Sequence, residues 1–384
     1  MNKILLTISA GMWDGIQHRP HHFARRAALN NWTVLYVEPP ATLISPLKNR
    51  TTIERWKYWR EGLRKETESL YLLSLPPIFP FGNMNRTINR INQRIMAKTI
   101  TKALQSFSNS KVTLYTFLPN TVDMLPYLNV EAVIYDCVDD HGSFSGFVDK
   151  KIVLEMEKDL MRQADICFAT SHKLYSDRKA WNPNFYLIPN GTDHDFFAKT
   201  ASITEEEIPA DVADLSHPTI GFIGGISDWV DLSLVKQVAD SRPDCNFIFI
   251  GPIATDISLL EALSNVHFIG PRRYEHLPYY LRKFDICWIP FKINELTKSV
   301  NPIKLYEYMS SGKPVISTPL PEVKHFEGLI EIAKDKQETI VSIDRILDSN
   351  INDVNREKRQ KVGQDNSWDS RWQYAEHLIQ SLQK

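Results

Sequence analysis

Pro290–Pro314 reads PFKINELTKSVNPIKLYEYMSSGKP. The apolar run Ile286–Ile289 in front of it has the length of a buried strand and stops at Pro290. A polar loop follows. Asn301-Pro302 then predicts a helix start, with Asn as N-cap and Pro at the first helical position, where its missing N–H costs nothing. Gly312 closes the helix, and Pro314-Val315-Ile316 begins the next strand. Strand, loop, helix and strand in this order are the repeating unit of a parallel α/β sheet. Lys304 falls in the first turn of the helix and Glu307 three residues later, so both lie on one face. A helix N-terminus beside a lysine suits an anion such as a diphosphate. A carboxylate one turn further in can accept hydrogen bonds from the two hydroxyls of a ribose. The plain alternative for the pair is an exposed ion pair worth a few tenths of a kcal/mol.

The same alternation extends outward from this stretch. Apolar strands are expected at Ile4–Ile8, Val34–Val37, Tyr71–Leu73, Val112–Tyr115, Ala132–Tyr135, Ile166–Phe168 and Tyr186–Ile188, separated mostly by helix-length segments such as Met84–Phe107 and Lys150–Arg162. A polar, acidic, proline-broken tract, NGTDHDFFAKTASITEEEIPADVADLSHP from Asn190 to Pro218, interrupts them. Strands resume at Ile220–Ile223, Asn246–Ile250, Val266–Ile269, Ile286–Ile289 and Val315–Ser317, and a last helix spans Ser367–Gln383. The expectation is an α/β protein with two Rossmann-like, doubly wound domains across a cleft: residues 1–195, a linker over 196–217, a second domain over 218–366, and a terminal helix, 367–384, packing back on the first domain.

Composition fits this reading. The chain has 384 residues, 43% hydrophobic and 24% charged, enough to bury full cores. A formal net charge of −1 gives no sign of a nucleic-acid partner. MNKILLTISAG has one lysine and too short an apolar run for a secretory signal, and no stretch approaches the ~20 apolar residues of a membrane span, so a cytoplasmic location is expected. The four cysteines, Cys137, Cys167, Cys245 and Cys287, sit at apolar runs and read as small core residues. Charge is uneven: Thr42–Lys111 carries 13 Lys and Arg against four acids, a net +9, which leaves −10 for the rest. With Trp56, Tyr58 and Trp59 in the same segment, it suits contact with an anionic membrane surface as well as an ordinary solvated helix face.

Several longer pieces carry a resemblance. They are GFIGGISDWVDLSL (Gly221–Leu234), FIGPRRYEHLPYYLRKFDICWIPF (Phe268–Phe291), NPIKLYEYMSSGKPVIST (Asn301–Thr318), IPNGTDHDFF (Ile188–Phe197) and SWDSRWQ at the start of the last helix. In order and spacing they resemble bacterial glycosyltransferases of the GT-B fold, the GT4-like group that includes teichuronic-acid-type and related surface-polysaccharide transferases. The likeness covers nearly all of Ile188–Gln383. In the first half it is thinner, carried by WDGIQHRPHHFARR and YDCVDDHGSF. It implies a metal-independent, cofactor-free enzyme that moves a sugar from a nucleotide diphosphate sugar, UDP-linked, to a glycan or polyprenyl-diphosphate-linked acceptor held at the inner membrane face.

Residues can be assigned on that footing. Gly224 and Gly225 follow the first strand of the second half, where glycine lets backbone approach a ligand; their G-x-x-G-G spacing from Gly221 is not the dinucleotide fingerprint. Arg272 and Arg273 suit phosphate, or one of them pairs with Glu275. Lys304 is the expected phosphate ligand and Glu307 the ribose ligand. Asn294 and Thr297 lie where a donor sugar would pass. In the first half, Asp139 and Asp140 follow the strand Ala132–Tyr135; adjacent carboxylates repel, which raises the pKa of one toward a useful value for a base. The resemblance selects Asp139, with Asp140 and His141 as alternates. Gly11, Trp13, Arg19 and His21 lie in and after the first loop and are expected at the acceptor. His18, His21 and His22 lack a completing acid or cysteine for a metal, and Asp193-His194-Asp195 reads as a turn rather than a metal motif. Many retaining relatives carry Glu eight residues before the conserved one; here that position is Ser299, which favours an inverting transfer unless Glu295 substitutes. Two other readings remain: an epimerase or hydrolase of nucleotide sugars, and a non-catalytic partner subunit binding nucleotide sugar or glycan.

Overall fold

The computed structural model describes residues 3–48, 52–107, 110–348 and 353–382. Arg50 of the basic segment and Gln383 of the expected last helix lie outside them. The chain divides into two compact units, Met1–Pro189 with Trp372–Lys384, and Asn190–Arg371.

The first unit is built on eight strands: β1 (Lys3–Ile8), β2 (Trp32–Val37), β3 (Leu63–Lys65), β4 (Leu70–Leu73), β5 (Lys111–Thr116), β6 (Ala132–Cys137), β7 (Ile166–Ala169) and β8 (Phe185–Leu187). Their order is β3-β4-β2-β1-β5-β6-β7-β8, parallel except for the antiparallel β3–β4 pair. Strands covered on both faces read as continuous apolar runs, and β6 and β7 are buried along their whole length. The chain winds outward from β1 through β2 and β4, then crosses to β5 on the other side of β1. The switch point of the sheet therefore lies between β1 and β5. Helix Arg86–Leu104 starts where Asn85 Oδ1 accepts the amides of Thr87 (2.9 Å) and Ile88 (3.2 Å). Helix Lys150–Gln163 starts the same way, with Asp149 Oδ1 accepting from Lys151 and Ile152.

The second unit repeats the plan with β9 (Thr219–Ile223), β10 (Asn246–Ile250), β11 (Val266–Gly270), β12 (Ile286–Ile289), β13 (Val315–Ser317) and β14 (Glu331–Ile332), in the order β11-β10-β9-β12-β13-β14 and all parallel. Its switch point lies between β9 and β12. All twelve expected strands are present. The two that sequence reading lacked, β3 and β14, are three and two residues long, too short for any period to appear. All four cysteines are free and buried.

Two local expectations are corrected. The tract expected as a linker, 196–217, folds into short helices whose Phe197, Ile208 and Val212 belong to the core of the second unit. The helix expected from Asn301-Pro302 spans Ile303–Ser311 with Pro302 as its N-cap. Asn301 is buried instead: its Oδ1 accepts from the Asn190 amide (3.0 Å), and its Nδ2 donates to Glu322 Oε2 (3.0 Å) and Tyr306 Oη (3.1 Å). The last helix spans Trp368–Ser381, and from Trp372 onward it belongs to the first unit, with the Trp372 ring 5.5 Å from Phe23 and Glu376 accepting from Trp32 Nε1 at 2.8 Å.

Candidate active site

The switch point of the second sheet gathers one cluster. Gly224 directly follows β9 with φ at 143°, and its N–H donates to Ile250 O at 2.8 Å. A Cβ there would meet Lys304 Cε at 3.0 Å, so the turn leaves just enough room for the lysine stem. The Lys304 ammonium lies 5.1 Å from the Phe222 ring and 4.6 Å from the Phe291 ring. These rings hold the cation without a counter-ion: no carboxylate or carbonyl bonds it among the described residues. Burial pulls its pKa down to about 8, partly countered by Glu307.

Glu307 lies one turn further along and is 8% exposed. Neither of its oxygens has a hydrogen-bond partner among the described residues. Burial pushes its pKa up to about 7, the Lys304 charge opposes the shift, and Asp193 adds to it. Asp193 accepts from the Tyr274 hydroxyl at 3.1 Å, and the Tyr274 ring stacks on Phe196 at 5.1 Å. A buried carboxylate and a half-buried ammonium, both without hydrogen-bond partners among the described residues at the start of a helix, are costly unless a ligand completes them. The first amides of a helix have no intrahelical partner and favour an anion at the same point.

The other expected donor residues divide. Gly225 is half-buried beside Gly224. Arg273 is exposed. Arg272 is tied down by Asp211 (2.6 Å) and the Tyr280 hydroxyl (2.7 Å), a pairing with Asp211 rather than the expected Glu275. Thr297 is fully buried and closes the loop on itself: its Oγ1 accepts from the Asn294 amide (3.0 Å) and donates to Lys292 O, while Asn294 Oδ1 accepts from Thr297 N (2.9 Å). Thr297 is thus a loop brace and not a sugar contact. Ser299 is 2% exposed, and Glu295 pairs with Lys298 in an exposed bridge at 2.8 Å.

In the first unit, β6 delivers Asp136, Asp139 and Asp140 at its end. Asp140 accepts from Arg178 Nη2 (3.0 Å) and Ser143 Oγ (2.5 Å). Burial alone would raise its pKa, but these two partners outweigh it and hold the carboxyl below its ordinary range. Asp139 has no such partner among the described residues, and burial together with Asp140 pushes it up to about 7. Arg178 is fixed in turn by Glu157 at 2.9 Å, which also accepts from Tyr135 Oη at 2.8 Å. Burial lowers the His141 pKa, so its ring is neutral near pH 7.

The expected acceptor loop is corrected. Arg19 is 2% exposed and bonds Asp136 at 2.6 Å, with Tyr115 Oη on the same carboxylate oxygen at 2.7 Å. His21 is fully buried, with its Nε2 at Met12 O (3.0 Å) and Tyr36 Oη (3.2 Å); burial takes its pKa down to about 3. Trp13 packs edge-on to Tyr36 at 5.0 Å. A Cβ on Gly11 would fall 2.2 Å from the His18 ring. These residues brace the first unit internally: Arg19 is held by Asp136 and by Ile188 O (2.9 Å), and His21 by Met12 and Tyr36.

Sequence reading took Asp193 for part of a turn and assigned no role to Tyr274, Phe222 or Phe291. The only available signal was the position of Phe222 and Phe291 at the ends of strands flanking the switch point.

Residues 217–349 match the family described as glycosyl transferases group 1. The chain is a glycosyltransferase. TuaH of Bacillus subtilis (strain 168), which carries the name teichuronic acid biosynthesis glycosyltransferase, is 25% identical over 310 residues, covering 76% of this chain and 77% of TuaH. A glycosyltransferase from Rickettsia africae ESF-5 superposes with a TM-score of 0.67 at 13% identity over 100% of this chain and 99% of that one. Anabaena Alr3699/HepE, solved in complex with UDP-glucose, gives 0.67 at 13% identity over 99% of both chains. At such identities the structures establish the fold of this glycosyltransferase, GT-B, with its two Rossmann-like units.

Proposed function

We propose that this glycosyltransferase takes its sugar from a nucleotide diphosphate donor, UDP-linked, and passes it to a glycan or polyprenyl-diphosphate-linked acceptor in surface-polysaccharide synthesis. The observation that carries the donor is the pair Lys304, half-buried, and Glu307, buried, oppositely charged groups without hydrogen-bond partners among the described residues at one helix start. Lys304 with the helix amides meets the diphosphate, Glu307 accepts from ribose hydroxyls, and Gly224 and Gly225 give the backbone room. Arg273, exposed beside β11, adds a cation. The HepE complexes with UDP and UDP-glucose support UDP as the nucleotide, and the name of TuaH supports a polysaccharide product. Donor binding belongs to the second unit and proton removal to the first.

Asp139 is the base. With a pKa near 7 it takes the acceptor hydroxyl's proton while the oxygen attacks the anomeric carbon and the nucleotide diphosphate leaves. Direct displacement inverts the anomeric centre, in keeping with Ser299 offering no carboxylate. Contact with the cytoplasmic membrane face is part of this proposal, supported by helix Ile53–Glu61, which carries Arg55, Lys57 and Arg60 and has no buried residue.

Two measurements test this. Lys304→Ala or Glu307→Ala weakens UDP binding in calorimetry by about tenfold or more, the scale of a lost charge-assisted contact; unchanged affinity would overturn the donor site. Asp139→Asn leaves UDP binding intact and abolishes transfer; near-normal turnover would move the base elsewhere.

A further inference from the structure

The first unit contains a cavity of about 200 Å³ distinct from the groups assigned above. It opens at the switch point of the sheet: Ser9 follows β1, Pro39 follows β2, Leu75 follows β4 and Leu118 follows β5. Ligands of α/β sheets bind at such points. The helix Arg86–Leu104 supplies one wall through Asn89, Asn92 and Gln93, each 1% exposed.

Gln93 Oε1 is buried and has no hydrogen-bond partner among the described residues. Its orientation is set by a chain of amides. Asn89 Nδ2 donates to Asn120 O (2.9 Å) and Asp123 Oδ2 (2.8 Å), so Asn89 Oδ1 is the acceptor, and Gln93 Nε2 donates to it at 3.1 Å. What remains over is an acceptor, and a buried acceptor calls for a donor such as a hydroxyl.

The rim is aromatic. Phe79, Phe81 and Phe147 are 47%, 39% and 54% exposed, and Phe81 meets Phe147 edge-on at 5.0 Å. The loop that presents them is held rigidly. Asn92 accepts from the Phe79 amide (2.9 Å) and donates to Phe79 O (2.8 Å), and Asp149 N donates to Asn83 O (3.0 Å). Phe81 sits at φ 70°, a conformation few non-glycine residues adopt. Strained backbone that holds aromatic rings in water disfavours folding and marks a binding rim.

An apolar cavity of ~150 Å³ takes a benzene ring, so this one has the size of a single six-membered ring. An aliphatic chain would leave Gln93 Oε1 unpaired. We propose that the cavity binds a pyranose ring, the terminal sugar of the acceptor, with one hydroxyl donating to Gln93 Oε1 and the C–H face against the phenylalanine rim. This rests on the reading of the first unit as the acceptor half.

Saturation-transfer NMR on the full chain tests it. The probes are methyl glycosides of glucose, galactose, mannose and N-acetylglucosamine, with farnesyl phosphate as the aliphatic competitor. At least one glycoside should show ring-proton saturation, reduced about tenfold by Gln93→Leu, the scale of a lost buried hydrogen bond, and also weakened by Phe147→Ala. A wild-type near-UV circular dichroism spectrum and an unchanged urea midpoint of the first unit show that each variant is folded, and Phe147→Ala, at an exposed position, decides the matter should Gln93→Leu not fold. The proposal is overturned if no glycoside is saturated, if both variants match the wild type, or if farnesyl phosphate alone binds. Failure of the donor reading would appear separately, as a wild-type chain that does not bind UDP.

Discussion

Asp139 and Asp140 are neighbours in sequence with opposite fates. Arg178 and Ser143 hold Asp140 ionised, and that fixed negative charge joins burial in raising Asp139. Had Arg178 reached Asp139 instead, the roles would be exchanged. The sign of a test follows. On the proposal that Asp139 is the base, its ionised form is the active one and transfer should rise with pH through about 7. Asp140→Asn removes the like charge and moves that limb to lower pH, while burial, the larger cause, keeps it above an ordinary carboxylate. A pH–rate profile unmoved by the substitution would show that Asp139 is not the group titrating. The carboxylate pair was legible in YDCVDDHGSF. The choice between its members was not, because Arg178 lies 38 residues away in the chain.

At the scale of elements, the helix Ile303–Ser311 owes its place to a partner that local pattern does not reveal. It packs on helix Arg356–Asp365 at Gly363, where a Cβ would lie 2.2 Å from Ser310 Oγ and 2.9 Å from its Cα. Backbone contact this close admits no side chain. Gly363→Ala therefore forces the helices apart, at a cost of about 1–3 kcal/mol. Because the displaced helix carries Lys304 and Glu307, UDP affinity should fall as well; wild-type stability and affinity in this variant would refute the coupling. The helix itself was readable from its proline start and its Gly312 end. Its cap was not, since Asn301 spends its amide on Asn190, Tyr306 and Glu322.

For the whole molecule, the end of the chain completes the first unit. Trp372 is fully buried against Phe23, and Trp32 donates to Glu376. Trp372→Ala should lower stability by about 3–5 kcal/mol, read as a drop in the urea midpoint of the first unit; a midpoint within error of the wild type would mean the helix contributes little. The sequence by itself determined the twelve principal strands, the doubly wound plan repeated in both halves, and the helix that brings Lys304 and Glu307 to one face. These follow from period, caps and breakers, which are local. Tertiary structure alone decided which charged side chains remain available. Arg19 looked like a cation for an acceptor and is spent on Asp136, 117 residues away. Lys304 and Glu307 had an exposed ion pair as their plain alternative, and their setting among Phe222, Phe291 and Asp193 tells against it. A charged group's function depends on whether its partner is protein or ligand, and only the folded chain assigns that partner.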